Sequence, residues 1–144
     1  PFERASKLDV GLADEGALYR GNLLHHYLEV TDLKSKDVSF ISSEKDREII
    51  AKVLSLPIFQ NLGNASTFKE EAFYDEDKSI HGVIDLLIVR DDSCEVIDYK
   101  SKDIDDPSYK KQLGIYKSYV EKVYKRNCRT YLLSILDATI KEVE

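Results

Sequence analysis

The stretch from His81 to Ser101, "HGVIDLLIVRDDSCEVIDYKS", constrains the fold more than any other. Two short runs rich in β-branched and apolar residues flank the pair Asp91-Asp92, the pattern of an antiparallel hairpin closed by a two-residue loop. Closing it there sets Asp85 directly across from Asp98, each carboxylate in the middle of an apolar run. Like charges facing each other on a sheet repel, and burial makes each carboxylate harder to ionise. Positive charge has to be close by. Lys100 lies two residues beyond Asp98 and so points to the same face of its strand. Two arrangements meet the need. One is a buried Asp–Lys pair with Asp85 protonated or hydrated. The other is a divalent cation on hard oxygen ligands, with Lys100 left to activate a water or to offset developing negative charge.

Around the hairpin the hydrophobic period changes in a definite order. Between Glu15 and Val30, Ala17, Gly21, Leu24 and Leu28 fall at helical spacing, with His25 beside them. A second helix is expected from the Ser42/Ser43 cap through "EKDREIIAKVLSL" to a stop near Pro57, followed by the irregular stretch "IFQNLGNAS". "TFKEEAFYDE", "IHGVIDLLIVR" and "CEVIDYKS" read as three consecutive antiparallel strands. In "DIDDPSYKKQLGIYKSYVEKVYK", Asp106 can cap a helix whose first residue is Pro107. Its inward stripe is expected to be Tyr109, Gln112, Leu113, Tyr116, Val120 and Val123. "RTYLLSILDATI" then closes the chain as one more strand. Helix, helix, three strands, helix, strand specifies an α/β fold with a mixed central sheet and flanking helices.

The chain has 144 residues, 42% of them hydrophobic and 33% charged, which fits one soluble globular domain over residues 1–144. No apolar run approaches the roughly 20 residues that cross a bilayer, so no membrane association is expected. The N-terminus lacks a secretory pattern, and cytoplasmic localisation is expected. Because it opens without a methionine, the chain is expected to be a piece of a longer protein. Cys94 and Cys128 have neither CxxC spacing nor a neighbouring Cys or His, which suits reduced, buried thiols. A formal net charge of −6 argues against nonspecific nucleic-acid binding over a broad basic surface. Any nucleic-acid role must rest on a local site.

With Asp85 and the triplet Asp98-Tyr99-Lys100 in view, the hairpin resembles the active-site hairpin of the PD-(D/E)XK nucleases, and more narrowly that of RecB-type nuclease domains. Three further segments share the resemblance. "RGNLLHHYLE" is similar to the G-x-x-x-H-x-x-L-E helix of RecB and AddA nuclease domains, with Gly21, His25, Leu28 and Glu29 in the motif positions. Asn22 stands where the motif often has threonine. "KEEAF" resembles the strand that carries the family's glutamate, which aligns with Glu70; Glu71 would face the other way. "YKKQLGIY" is similar to the Q-x-x-x-Y helix, with Gln112 and Tyr116 on one face. Gln112 falls on an apolar stripe, so its amide needs a partner, for which a DNA phosphate or an active-site carboxylate is expected. The cysteines that hold an iron–sulfur cluster in some relatives are absent, and no Walker A pattern occurs.

The resemblance implies a restriction-endonuclease-like fold and a DNA exonuclease that hydrolyses phosphodiesters with Mg2+ or Mn2+. It implies metal ligation by His25, Asp85, Asp98 and the backbone carbonyl of Tyr99, with Lys100 as the catalytic cation and Glu70, Gln112 and Tyr116 as further site residues. The implied setting is a helicase-nuclease of double-strand-break repair and recombination, with the helicase in the same chain or a partner. A free-standing exonuclease of the lambda-exonuclease or CRISPR-associated type is the alternative, and an inactive nuclease-like DNA-binding scaffold is another.

Overall fold

The hairpin forms in the expected register and occupies the middle of the sheet. A computed structural model describes residues 15–101 and 104–144. The reading of the first residues as lacking a secretory pattern therefore falls outside the described residues, as does the side chain of Ala17. Five strands follow one another in the sheet in chain order: β1 (Ser66–Asp75), β2 (Ile80–Val89), β3 (Ser93–Lys100), β4 (Asn127–Ser134) and β5 (Thr139–Val143). Neighbours are antiparallel except β3 and β4, which run parallel across an intervening helix. Leu86 faces Ile97 and Val89 faces Cys94. The Arg90 N–H closes the turn on the Ser93 carbonyl at 2.8 Å, with Asp91 and Asp92 between them.

Helices cover both faces. On one, α1 (Glu15–Val30) and α2 (Glu44–Leu54) bury Leu24, Leu28, Ile50, Val53 and Leu54 against Leu86, Ile88, Ile97, Tyr99 and Leu133. Ser43 caps α2, its hydroxyl accepting the Asp46 N–H at 3.2 Å. The Asp46 carboxylate then receives Arg20 of α1 at 2.8 Å and ties the two helices together. On the other face, α3 (Ser108–Tyr124) lays Leu113, Tyr116 and Val120 on Phe73, Ile84, Leu87, Val96 and Leu132. This is an α/β fold with helices on both sides of a mixed sheet.

Four details depart from the sequence reading. "IFQNLGNAS" opens with a short 3-10 turn, Pro57–Phe59. The last apolar run is two strands, folded back by a turn in which the Ala138 N–H reaches the Ile135 carbonyl at 3.3 Å and Ala138 takes φ 51°. On α3, Val123 is 49% exposed and Tyr124 packs on the core instead, because the stripe steps by four from Val120. The helix assignment begins at Ser108, although Pro107 already has helical angles (φ −64°, ψ −18°) and the Asp106 carboxylate accepts the Ser108 N–H at 2.9 Å. Asp106 thus does cap, one position offset.

Candidate active site

The site lies where the sheet gives up its own hydrogen bonds. Pairing between β1 and β2 passes from Lys69–Leu86 to Glu71–Ile84 and skips Glu70 and Asp85. Between β2 and β3 it stops at Leu86–Ile97, one residue short of Asp85 and Asp98. Glu70, Asp85 and Asp98 therefore form one row across three strands. Both β1 and β2 change face there: Phe68 and Phe73, five residues apart, pack on the same side, whereas Ile84 and Leu86, two apart, pack on opposite sides. Glu70 takes φ 48°, the left-handed backbone that makes this possible. In place of a ladder bond, the Tyr99 N–H donates to Asp85 Oδ2 at 2.8 Å.

Asp85, Asp98 and Lys100 are each only 1% exposed. Lys100 Nζ lies 2.9 Å from Asp98 Oδ2 and 4.3 Å from the centroid of the Tyr109 ring on α3. Its position is thus set from two sides, by a carboxylate and by the negative face of an aromatic ring. One lysine does not neutralise two buried carboxylates. Burial first, and then the neighbouring charge of Asp85, push the Asp98 carboxyl up to about 7, against the opposing pull of Lys100. Among the described residues no donor reaches Asp85 Oδ1 or Asp98 Oδ1, although both are buried. Buried carboxylate oxygens with surplus negative charge fit a hard divalent cation.

From the opposite face, α1 brings His25 to this row. Its Nε2 is 3.2 Å from Asp85 Oδ2 and its Nδ1 is 3.0 Å from Glu29 Oε1. The ring is 3% exposed and stands edge-on to Tyr99, with centroids 5.4 Å apart. Gly21, one turn earlier, explains how the helix comes so close: a Cβ there would lie 3.1 Å from Ser101 Cβ, at the end of the hairpin segment. Beside it, the half-buried Lys69 donates from Nζ to the Thr31 carbonyl and holds the end of α1 against β1. One ligand atom each from His25, Glu29 and Glu70 lie within 4.8 Å of one another.

The structure therefore gathers His25, Glu70, Asp85, Asp98, Tyr99 and Lys100. Glu71 pairs with Ile84 outside the row, so only one of the two adjacent glutamates reaches the site. Gln112 and Tyr116 lie behind it on α3, where the Gln112 amide donates to the Tyr116 hydroxyl at 2.8 Å. The expected carboxylate partner of that amide is thus replaced by a phenol, whose pKa is raised by burial first and then by the charges of Asp98, Asp85 and Glu70. Reading the sequence by element left Glu29 and Tyr109 without a role at the site. Glu29 carries a signal, since it stands one helical turn from His25. Tyr109 carries none, because an aromatic residue on an inward stripe reads as core.

A family model described as the PD-(D/E)XK nuclease superfamily matches residues 43–142, well over half of the chain. The chain belongs to this superfamily. Nucleases of the PD-(D/E)XK superfamily act with divalent metals, and in this one His25, Glu29 and Glu70 form a candidate acidic site for an ion. The match begins at Ser43, downstream of α1, so His25 and Glu29 join the nuclease core through geometry alone. No curated relative matches the sequence. Among the described residues of this nuclease, no helix is long and apolar enough to cross a membrane.

Proposed function

We propose that the chain is a RecB/AddA-type nuclease domain, a DNA exonuclease using Mg2+ or Mn2+ within a larger helicase-nuclease of double-strand-break repair and recombination. The observation that carries this reading is the approach of His25 Nε2 to Asp85, at 3.2 Å. A histidine helix that resembles the G-x-x-x-H-x-x-L-E helix of RecB and AddA domains, docked on the carboxylate row, supports the RecB-type reading. His25, Asp85, Asp98 and the Tyr99 carbonyl would hold the cation, and the imidazole among the oxygens favours Mn2+ over Mg2+ in affinity. When bound, the cation supplies charge neutralisation at a scissile phosphate and acidifies water. Lys100, fixed between Asp98 and the Tyr109 ring, orients the attacking water or offsets negative charge developing on the phosphate. Glu70, in the same row, and Tyr116, hydrogen-bonded by Gln112, would be supporting residues.

The test is digestion of end-labelled linear DNA and closed circular DNA with Mn2+, with Mg2+ and with EDTA. Metal-dependent shortening of linear DNA from its ends, with circles left intact, is expected. Cutting of closed circles at a similar rate would show an endonuclease and end the RecB-type assignment.

A further inference from the structure

We propose that Glu29 is the positioning residue of His25: it holds the Nδ1 proton of the imidazole and so keeps the Nε2 lone pair turned to the carboxylate row. The inference rests on the nuclease reading for its purpose, though not for its geometry. A neutral imidazole carries one N–H, and each of its nitrogens here faces a carboxylate: Nδ1 lies 3.0 Å from Glu29 Oε1 and Nε2 lies 3.2 Å from Asp85 Oδ2. If Nε2 held the proton, it could not bind a cation. If Nδ1 holds it, Glu29 accepts the hydrogen bond and Nε2 becomes a ligand; a carboxylate behind a ligating histidine in this way fixes both tautomer and ring orientation.

The surroundings favour the second state. Asp85 Oδ2 already accepts the Tyr99 N–H at 2.8 Å, whereas Glu29 sits one turn along the same helix with Oε1 directed at Nδ1. The other oxygen, Oε2, is 3.7 Å from the exposed ring of His26, so the two histidines do not compete for one atom. The His25 ring is 3% exposed and packed edge-on to Tyr99, which holds its orientation. His26, the adjacent histidine, is exposed and has only the more distant Glu29 oxygen beside it among the described residues.

The experiment reads the tautomer directly. Nitrogen-15 NMR of the metal-free chain, recorded at a pH high enough that the ring is neutral, should show His25 with the proton on Nδ1. In Glu29→Ala it should move to Nε2, the form imidazole prefers in water. Glu29→Gln, whose amide oxygen can still accept, should keep it on Nδ1. Calorimetric Mn2+ affinity should fall about 10- to 100-fold in Glu29→Ala and much less in Glu29→Gln. A wild-type His25 protonated on Nε2, or a tautomer that ignores Glu29→Ala, would overturn the proposal, as would a Glu29→Ala affinity within about twofold of wild type. If Glu29→Ala fails to fold, the wild-type and Glu29→Gln spectra decide alone. Because the tautomer is read without metal, a wild type that binds no Mn2+ counts against the nuclease reading and leaves the Glu29–His25 pairing standing.

Discussion

A carboxyl that keeps its proton to about pH 7 binds it more tightly than the same group in an unfolded chain, which releases it near pH 4. Between those values folded Asp98 carries a proton that unfolded Asp98 has lost. Stability of the metal-free protein should therefore fall as pH rises through this window, by at most about 1.4 kcal/mol per pH unit. Urea midpoints measured in EDTA should drop over that range, and Asp98→Asn should remove most of the drop; an equal slope in the variant would assign the effect to other groups. Lys100 makes a different prediction, since it sits on Asp98 and under the Tyr109 ring and is proposed to act on water or phosphate charge instead of the cation. Lys100→Met should lower cleavage by about 100-fold or more with Mn2+ affinity little changed, as single-turnover rates and calorimetry would show. Little loss of rate would make the lysine a counter-ion only. These roles differ in how far the sequence reveals them. Asp85, Asp98 and Lys100 are legible because a two-residue loop fixes the register and alternation fixes the face. The altered carboxyl is not, because it depends on how much water α3 excludes.

At the level of the elements, the β1–β2 end of the sheet depends on a glycine. A Cβ on Gly82 would lie 2.4 Å from the Phe73 ring, which is stacked on Tyr119 at 4.4 Å and set edge-on to Tyr116. The ring has no free side to retreat to. Gly82→Ala should destabilise the protein by about 1–3 kcal/mol through overpacking, seen as a lower urea midpoint with an unchanged slope. Most elements could be read in advance because turn chemistry and period agree, as at Ser43 before α2 and Asp91-Asp92 between β2 and β3. The turn before β5 could not, since Leu136, Asp137 and Ala138 contain no Gly, Pro or Asn to announce it. It is held instead by tertiary context and by the Ser134 hydroxyl, 3.0 Å from Asp137 Oδ2. Equally, no sequence signal shows that Glu70 takes φ 48°, a conformation more often left to glycine.

For the molecule as a whole, charge and chemistry pull in different directions. With net charge −6, few cations are left to replace counterions on a DNA backbone outside the site, so the isolated chain should cleave weakly at physiological salt and lose activity steeply as salt rises. Rates on one linear substrate across a salt series would check this, and processive digestion at physiological salt would favour a free-standing exonuclease. The thiols should be silent. Cys94 and Cys128 are neighbours in the β3–β4 register, both fully buried, and desolvation pushes Cys128 up to about 12. Neither should react with a thiol reagent until the chain unfolds. The interrupted row of Glu70, Asp85 and Asp98 bears on how such a chain changes over time. Those side chains lie where the β1–β2 and β2–β3 pairing is interrupted, and Asp85 and Asp98 sit side by side out of water. Replacing one with a neutral residue of similar shape relieves repulsion and removes no ladder bond, so an inactive descendant can fold as well as its parent or better. Stability by itself will not conserve this site. Only continued demand for cleavage can, and lineages released from that demand should keep the fold long after they have lost the row.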